Sequence, residues 1–282
     1  MPKKKGFRLA HVSDTHIRNL KYHDDYRAVF EQMYSILREE KPDYIVHCGD
    51  VAHTKTQLSP EFFEMAVDFF DSLSDIAPLV LIAGNHDGNL KNSSRQDALT
   101  PVIKALGKDT IHYLKNSGEF SPCKGLTFNV LSVFDRGNWV EPSSEKSINI
   151  ALYHGAIAGV ETDIGWVMDH GEDDVGIFEG HDYAFLGDIH KTNQILDTEG
   201  RVRYCGSTVQ QNFGETNDKG FLIWDIQDKD DFDVHHFVLK NPRPFITIEL
   251  TKTGRLPKRA NPPVGARSVS YTHLRAHETR SD

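Results

Sequence analysis

The chain has 282 residues, 38% hydrophobic and 26% charged, which is typical of a globular protein with one large α/β domain or two smaller ones. Its apolar runs are too short to span a membrane, and its basic N-terminus leads into a strand pattern without the apolar core of a secretory signal. The net charge of −9 argues against a broad basic face for nucleic acid, so a polyanionic substrate would have to be held locally.

The chain contains three widely spaced cysteines, Cys48, Cys123 and Cys205. An odd number of cysteines without a C-x-x-C pair predicts neither a disulfide framework nor a thiolate zinc site. The pattern fits a reducing compartment. We therefore expect a cytoplasmic protein with no membrane attachment.

The first part of the chain alternates predicted strands with predicted helices. The strands are expected over residues 7–13, 44–48 and 79–83, and the apolar run of the last reads as a buried strand of a parallel sheet. The first helix carries an apolar stripe over residues 26–37. The second is expected to be capped by Ser59 and to begin at Pro60.

The remainder of the chain is rich in predicted strands. They are expected over residues 111–114, 126–133, 148–153, 183–186, 194–196, 202–205, 221–225 and 234–239. Residues 163–174 form an acidic loop, which is a candidate lid or specificity loop. A proline-rich linker at 241–244 is followed by an alternating segment, 245–250, that predicts the first strand of another module.

Five predicted strands end in side chains that commonly bind metals. In chain order these are Asp14 with His16, Asp50, Asn85 with His86, His154, and Asp188 with His190. Functional groups collect where parallel strands end, and alternate residues of a strand point the same way. The Gly84–Asp87 stretch alone also fits a polar turn, in which Gly84 permits a sharp bend. Five such sets at successive strand ends are hard to explain by packing.

The order of these motifs (D-x-H, G-D-x-x-H, G-N-H-D, H-G, G-D-x-H) resembles the metallophosphoesterase superfamily over about residues 7–240. The resemblance implies an α/β fold, a two-sheet αββα sandwich of the calcineurin-like type, with a nuclease domain over residues 1–240. Within the superfamily, the segments 186–191, 204–207, 212–215 and 242–245 look similar to SbcD-type nucleases of double-strand-break repair, including phage recombination nuclease subunits.

The same resemblance implies a site for two divalent metal ions. One ion would be held by Asp14, His16 and His190, the other by Asn85, His154 and Asp188, with Asp50 bridging them. Mixed carboxylate, imidazole and amide ligands suit Mn²⁺, with Mg²⁺ as the alternative. Two ions ~3.5–4 Å apart can clamp the attacking and leaving oxygens of an in-line displacement.

The resemblance also assigns groups that do not bind metal. His86 would stabilise charge on the phosphoryl group or protonate the leaving oxygen, and His53 would assist from its loop. Ser207 and Asn212 would contact the substrate. Many family members have His where this chain has Asp188, so that aspartate either ligates an ion directly or orients His190.

The implied substrate is DNA, cleaved by exonuclease or endonuclease action in repair, recombination or replication. The implied partners are an SbcC-type SMC-like ATPase and a second copy of the chain, in a bacterial or phage-infected cell. Residues 241–267 would be a linker and the start of a capping domain. Residues 268–282 resemble a translated sequencing adapter, and we expect the natural chain to continue past about Arg267.

Two other functions remain open from the sequence. The chain could be a different metallophosphoesterase, acting on small phosphodiesters or phosphoproteins, because one ligand set serves many substrates. It could also be a scaffold that binds DNA or an ATPase without catalysis. The complete set of candidate ligands, together with His53 and His86, argues against the scaffold.

Overall fold

The computed structural model describes residues 6–55, 58–92, 94–258 and 260–271. Its first strands are β1 (Phe7–Val12), β2 (Tyr44–His47), β3 (Leu79–Ile82), β4 (Ile111–Leu114), β5 (Gly118–Cys123), β6 (Leu126–Leu131) and β7 (Ile148–His154). They are followed by β8 (Tyr183–Gly187), β9 (Gln194–Ile195), β10 (Val202–Tyr204), β11 (Gly220–Ile226), β12 (Phe232–Val238), β13 (Phe245–Glu249) and β14 (Arg267–Tyr271).

Twelve of these strands form two mixed, six-stranded sheets. The first has the order β12-β11-β1-β2-β3-β4, with β1 to β4 parallel, and the second has the order β5-β6-β7-β8-β10-β9. In the second sheet β6, β7, β8 and β10 are parallel, and the antiparallel strands β5 and β9 lie at its edges. The carboxyl ends of the parallel strands within each sheet therefore lie at one edge.

Three α-helices, α1 (His23–Glu40), α2 (Pro60–Ile76) and α3 (Leu99–Leu106), occur in the described part of the chain. They pack against the first sheet through one apolar cluster. The Ser59 hydroxyl accepts a hydrogen bond from the Phe62 N–H at 3.2 Å, which confirms the predicted cap of α2. Loop residues, including the short 3₁₀ turn Val175–Phe178, cover the outer face of the second sheet. The predicted α/β sandwich is confirmed.

The two sheets meet in a layer of fully buried apolar side chains. Within this layer Phe185 stacks on both His11 and Trp224, whose ring centroids each lie 4.6 Å from its own and 6.5 Å from each other. This packing fixes β8 of the second sheet against β1 and β11 of the first. It therefore sets the distance between the strand ends that carry the candidate ligands.

Two strands were not predicted. Strand β5 has no apolar run and contains Pro122, and its pairing with β6 is irregular between Phe120 and Cys123. Strand β14 pairs in parallel with β13 and begins at Arg267. Its last residues, 268–271, fall in the segment expected to be an adapter, and residues 272–282 lie outside the described residues. The domain boundaries stay predictions.

Among the described residues, no helix combines the length and the apolar composition needed to cross a bilayer.

Replacing Phe185 with Ala should lower the free energy of unfolding by about 3–5 kcal/mol, because it leaves a cavity between the two sheets. Urea unfolding followed by circular dichroism measures the change. The control is Val238→Ala on β12, which removes an exposed side chain and should change the stability by less than about 0.5 kcal/mol. Equal losses in the two variants would contradict the packing described here.

Candidate metal centre

The ends of five strands and the loops that follow them bring the seven predicted ligands together at one edge of the sandwich. The Asp50 carboxylate lies in the middle: its Oδ2 is 3.5 Å from Nε2 of His16 and 3.3 Å from Nε2 of His154. A carboxylate between two imidazoles that come from different sheets has the position that a bridging ligand would occupy.

On one side of Asp50, potential ligand atoms of Asp14, His16 and His190 all lie within 4.8 Å of one another. The two imidazole Nε2 atoms are 3.0 Å apart. Burial raises the pKa of Asp14, but the contact with His16, whose Nε2 lies 3.7 Å from Oδ1 of Asp14, and the other nearby imidazoles lower it by more, so the net shift of the pKa is downward. This group is the one that the resemblance assigns to the first ion.

On the other side, Nε2 of His154 lies 3.6 Å from Oδ1 of Asp188, and the same carboxylate oxygen accepts a hydrogen bond from the Asn85 amide at 3.1 Å. Asp50 completes this group. Asp188 thus faces His154 and Asn85, the residues predicted to share an ion with it.

Four of the seven residues have a positive φ: Asp14 (51°), His16 (45°), Asp50 (57°) and Asp188 (98°). Such conformations cost on the order of 1–3 kcal/mol each for non-glycine residues and concentrate at functional sites. Asp14 and His16 therefore converge through left-handed turns after β1, and not through the strand alternation expected from the sequence.

Asp87 connects two of these loops. Its buried carboxylate accepts hydrogen bonds from the backbone N–H groups of Asp50 (2.8 Å), Ala52 (2.8 Å) and Gly84 (2.9 Å). Burial and the nearby Asp50 carboxylate raise the pKa of Asp87 to about 7. These hydrogen bonds hold the loop after β2 against the loop after β3, so Asp87 has a supporting role in both loops.

Gly84 begins the predicted turn, in which its carbonyl accepts the Asp87 N–H at 3.1 Å, and a glycine is needed there because of close packing. Its φ is not positive, but a Cβ at this position would lie 2.2 Å from Oδ1 of Asp50 and 2.7 Å from Cε1 of His154. Any side chain would displace these two candidate ligands. The glycine therefore allows the β3 loop to lie directly against the site.

The surroundings of the buried His154 imidazole indicate whether these residues can bind a cation. Its Nδ1 lies 2.7 Å from the Cys48 carbonyl and so carries the hydrogen that it donates. Nε2 is buried and has no hydrogen-bond partner among the described residues, although carboxylate oxygens of Asp50 and Asp188 lie nearby. The lone pair on Nε2 and the negatively charged carboxylates repel each other unless a proton or a metal ion lies between them. The residues therefore fit a divalent cation.

Comparison with known proteins decides the family. The calcineurin-like phosphoesterase family matches residues 7–192 of this sequence, a range that contains all seven predicted ligands. The chain belongs to this family. Membership indicates a metal-dependent phosphoester hydrolase, and it confirms the predicted resemblance at the level of the superfamily.

Two individual relatives are similar to most of this chain. Uncharacterized protein R555 of Acanthamoeba polyphaga mimivirus is 38% identical over 236 residues, which cover 78% of this chain and 17% of that protein. DNA double-strand break repair protein Mre11 of Methanopyrus kandleri is 25% identical over 240 residues, which cover 75% of this chain and 51% of that protein. The phosphoesterase chain thus spans less than two thirds of either relative.

Among solved structures, a dimetal phosphatase from Danio rerio matches 83% of this chain and 100% of its own with a TM-score of 0.50. At 12% identity this likeness shows the shared fold.

The orientation of His190 depends on a residue that the sequence did not single out. Nδ1 of His190 donates to Oε1 of Glu215 at 2.8 Å, and Oε2 of Glu215 accepts the N–H of Gln211 at 2.8 Å. Burial raises the pKa of Glu215, but the hydrogen bond to His190 and the nearby positive charges lower it by a larger amount, so the net shift of the pKa is downward. Such carboxylates fix the ring and the tautomer of a metal-binding histidine. Glu215, and not Asp188, makes this contact.

The two histidines predicted to act in catalysis lie beside His16. The rings of His16 and His86 are 4.9 Å apart, and those of His53 and His86 are 6.4 Å apart. Nδ1 of His86 donates to the His53 carbonyl at 2.8 Å. A potential ligand atom of exposed His86 also lies within 4.8 Å of those of His16 and Asp50, so the geometry permits metal contact as well as catalysis.

The two predicted substrate-binding residues differ in their exposure to solvent. Ser207 is fully buried, so its hydroxyl does not reach the surface where a substrate would lie. Asn212 is exposed to solvent, and its Nδ2 donates a hydrogen bond to Oε1 of Glu215 at 2.8 Å. Substrate binding by either residue stays a prediction.

Replacing His190 with Ala should weaken metal binding at Asp14 and His16, the other ligands proposed for the same ion, while leaving the protein folded. We expect the purified phosphoesterase, loaded with Mn²⁺ and desalted, to retain two ions per chain and the variant to retain fewer, as measured by plasma mass spectrometry. His235→Ala on β12 changes an exposed histidine remote from the ligand set and is the matched control. Equal metal contents in all three proteins would contradict this assignment.

Replacing Asp87 with Asn should destabilise the phosphoesterase by about 1–3 kcal/mol, because an amide cannot accept all the buried N–H groups that the carboxylate accepts. Urea unfolding of metal-free protein measures this change without interference from bound ions. Asp109→Asn, in an exposed turn, serves as the control. An unchanged stability in Asp87→Asn would show that the two loops are held by other contacts.

Proposed function

We propose that the protein is a two-metal nuclease that cleaves phosphodiester bonds in DNA, as part of break repair, recombination or replication. The observation that carries the proposal is the hydrogen bond between His190 and Glu215. Glu215 ends the 212–215 segment through which the sequence resembles SbcD-type nucleases. One of the four segments that carry the resemblance therefore contacts the candidate metal centre directly.

The Mre11 relative supports the same proposal. Its name describes a DNA double-strand break repair protein, and it aligns with 75% of this chain. The acidic balance of the chain, with a net charge of −9, is compatible with DNA cleavage if bound cations and a few local groups hold the phosphate. Mn²⁺ is the ion we propose, because the ligands mix carboxylate, imidazole and amide groups.

The residues divide into groups that hold cations and groups that handle protons. Asp14, His16 and His190 would hold one ion, and Asn85, His154 and Asp188 the other, with Asp50 between them. The chemistry that bound divalent ions supply at such a site is polarisation of the phosphoryl oxygens and activation of water.

His86 is the proton-handling group nearest to solvent. Its Nδ1 donates to the His53 carbonyl, so any proton delivered to a leaving oxygen passes through Nε2. That hydrogen bond fixes the ring next to His16. His53 would act through the position of its backbone carbonyl. Burial lowers the pKa of its imidazole to about 4, with Arg18 contributing, so the ring is neutral at physiological pH.

The partners are proposed on the same basis. We infer that an SbcC-type ATPase and a second copy of the chain complete the active assembly, since the SbcD resemblance implies both. The chain spans 51% of the length of its Mre11 relative.

The protein is expected to degrade linear duplex DNA when Mn²⁺ is present and to lose this activity when the ion is removed by chelation. His86→Ala should lower the rate by about 10²–10³, the usual effect of losing one group that stabilises transition-state charge. Gel electrophoresis of end-labelled DNA gives the rate. Metal content, measured on the same samples, should be unchanged in the variant.

His235→Ala controls for the general loss of an imidazole and should retain full activity. Hydrolysis of small phosphoesters with no action on DNA would reject the nuclease in favour of a different phosphoesterase. DNA binding by a protein that retains no metal would favour a scaffold.

A further inference from the structure

A cavity of about 360 Å³ opens directly beside the candidate metal centre. Asp188 and His190, two of the predicted ligands, line one side of it. Ile164 and Trp166, from the acidic loop identified in the sequence, line the other. A group bound in this cavity would therefore adjoin the reacting phosphate.

Both side chains from the loop are large, apolar and open to solvent: Ile164 is 73% exposed and Trp166 is 59% exposed. Ile164 also extends towards the opposite rim, where its Cγ2 would lie 3.2 Å from a Cβ at Gly214. Adjacent exposed apolar groups beside a polar site commonly mark a surface that binds a ligand.

The exposure is not the result of an irregular loop, because this segment is a hydrogen-bonded hairpin. The N–H of Thr162 donates to the carbonyl of Trp166 at 2.9 Å, and the N–H of Gly165 donates to the carbonyl of Thr162 at 2.9 Å. Glu161 and Val167 pair across the hairpin as an antiparallel bridge. Ile164 and Trp166 are thus presented from an ordered turn.

A buried ion pair fixes the hairpin relative to the metal centre. Oδ2 of Asp163 lies 2.6 Å from Nζ of Lys219, and both side chains are almost fully buried. The same Nζ donates to the backbone carbonyl of His190 at 2.7 Å. Lys219 therefore joins the loop that carries Trp166 to the loop that carries a predicted ligand, so the distance between them is defined.

The charged groups around the cavity have partners of their own, which leaves the apolar side chains as the free surface. Lys219 is paired with Asp163, Lys191 with Glu161, and Glu215 with His190. Asp188, the other carboxylate at the wall, is a candidate metal ligand. A flat apolar group can therefore stack on the exposed indole without separating an ion pair, whereas an additional phosphate would meet no unpaired lysine among the described residues of this wall.

We propose that Trp166 and Ile164 form a stacking subsite for a nucleobase of the nucleotide next to the cleaved phosphodiester. This inference rests on the proposed function and names the part of DNA that the site recognises. Stacking on an aromatic ring accepts every base, so the subsite would position DNA without selecting its sequence.

The test compares the full chain with its Trp166→Ala variant on two oligonucleotides in the presence of Mn²⁺. The first is ordinary DNA whose cleaved bond has been mapped, and the second carries abasic residues on both sides of that bond. Trp166→Ala should raise KM for ordinary DNA by about tenfold or more, with a smaller effect on kcat. The abasic substrate should be cleaved poorly by the original protein and equally poorly by the variant.

Trp166→Phe keeps an aromatic ring and should restore most of the affinity. Val167→Ala, in the same hairpin and outside the cavity, controls for damage to the loop and should behave like the original protein. DNA cleavage with KM unchanged by Trp166→Ala, or equal losses on both substrates, would overturn only this inference. Failure of the original protein to cleave any DNA would overturn the proposed function as well.

Discussion

Two strand-end loops are joined by a single buried carboxylate, that of Asp87. It accepts N–H groups from Asp50, Ala52 and Gly84, and so it binds the loop after β2 to the loop after β3. Oδ1 of Asp50 in turn accepts the N–H of His86 at 2.8 Å. The placement of the central carboxylate and of the exposed histidine therefore depends on Asp87, which need not touch an ion itself.

The site concentrates unfavourable features that a cation would offset. Asp14, His16, Asp50 and Asp188 all have a positive φ. Buried carboxylates lie next to one another and to Nε2 of His154, which has no hydrogen-bond partner within the described part of the chain. Repulsion of this kind is tolerated where the rest of the fold is rigid. Rigidity comes from the apolar layer around Phe185 and from the hydrogen bonds of Asp87.

The strand ends were predictable because an apolar run followed by Asp, Asn or His is a local pattern, visible for Asp14, Asp50 and Asn85 alike. Contacts between distant segments were not predictable in the same way. The role of Glu215 depends on a loop that folds back onto His190, and the Asp163–Lys219 pair joins residues 56 positions apart. The burial of Ser207 likewise follows from tertiary packing, which the polar sequence around it does not indicate.

The most direct test of the account is anomalous X-ray diffraction from crystals grown with Mn²⁺ and measured at the manganese edge. The account predicts two anomalous peaks on either side of the Asp50 carboxylate, one next to Asp14, His16 and His190 and the other next to His154 and Asp188. A single peak remote from Asp50, or no peak at these residues when Mn²⁺ is in excess, would contradict it.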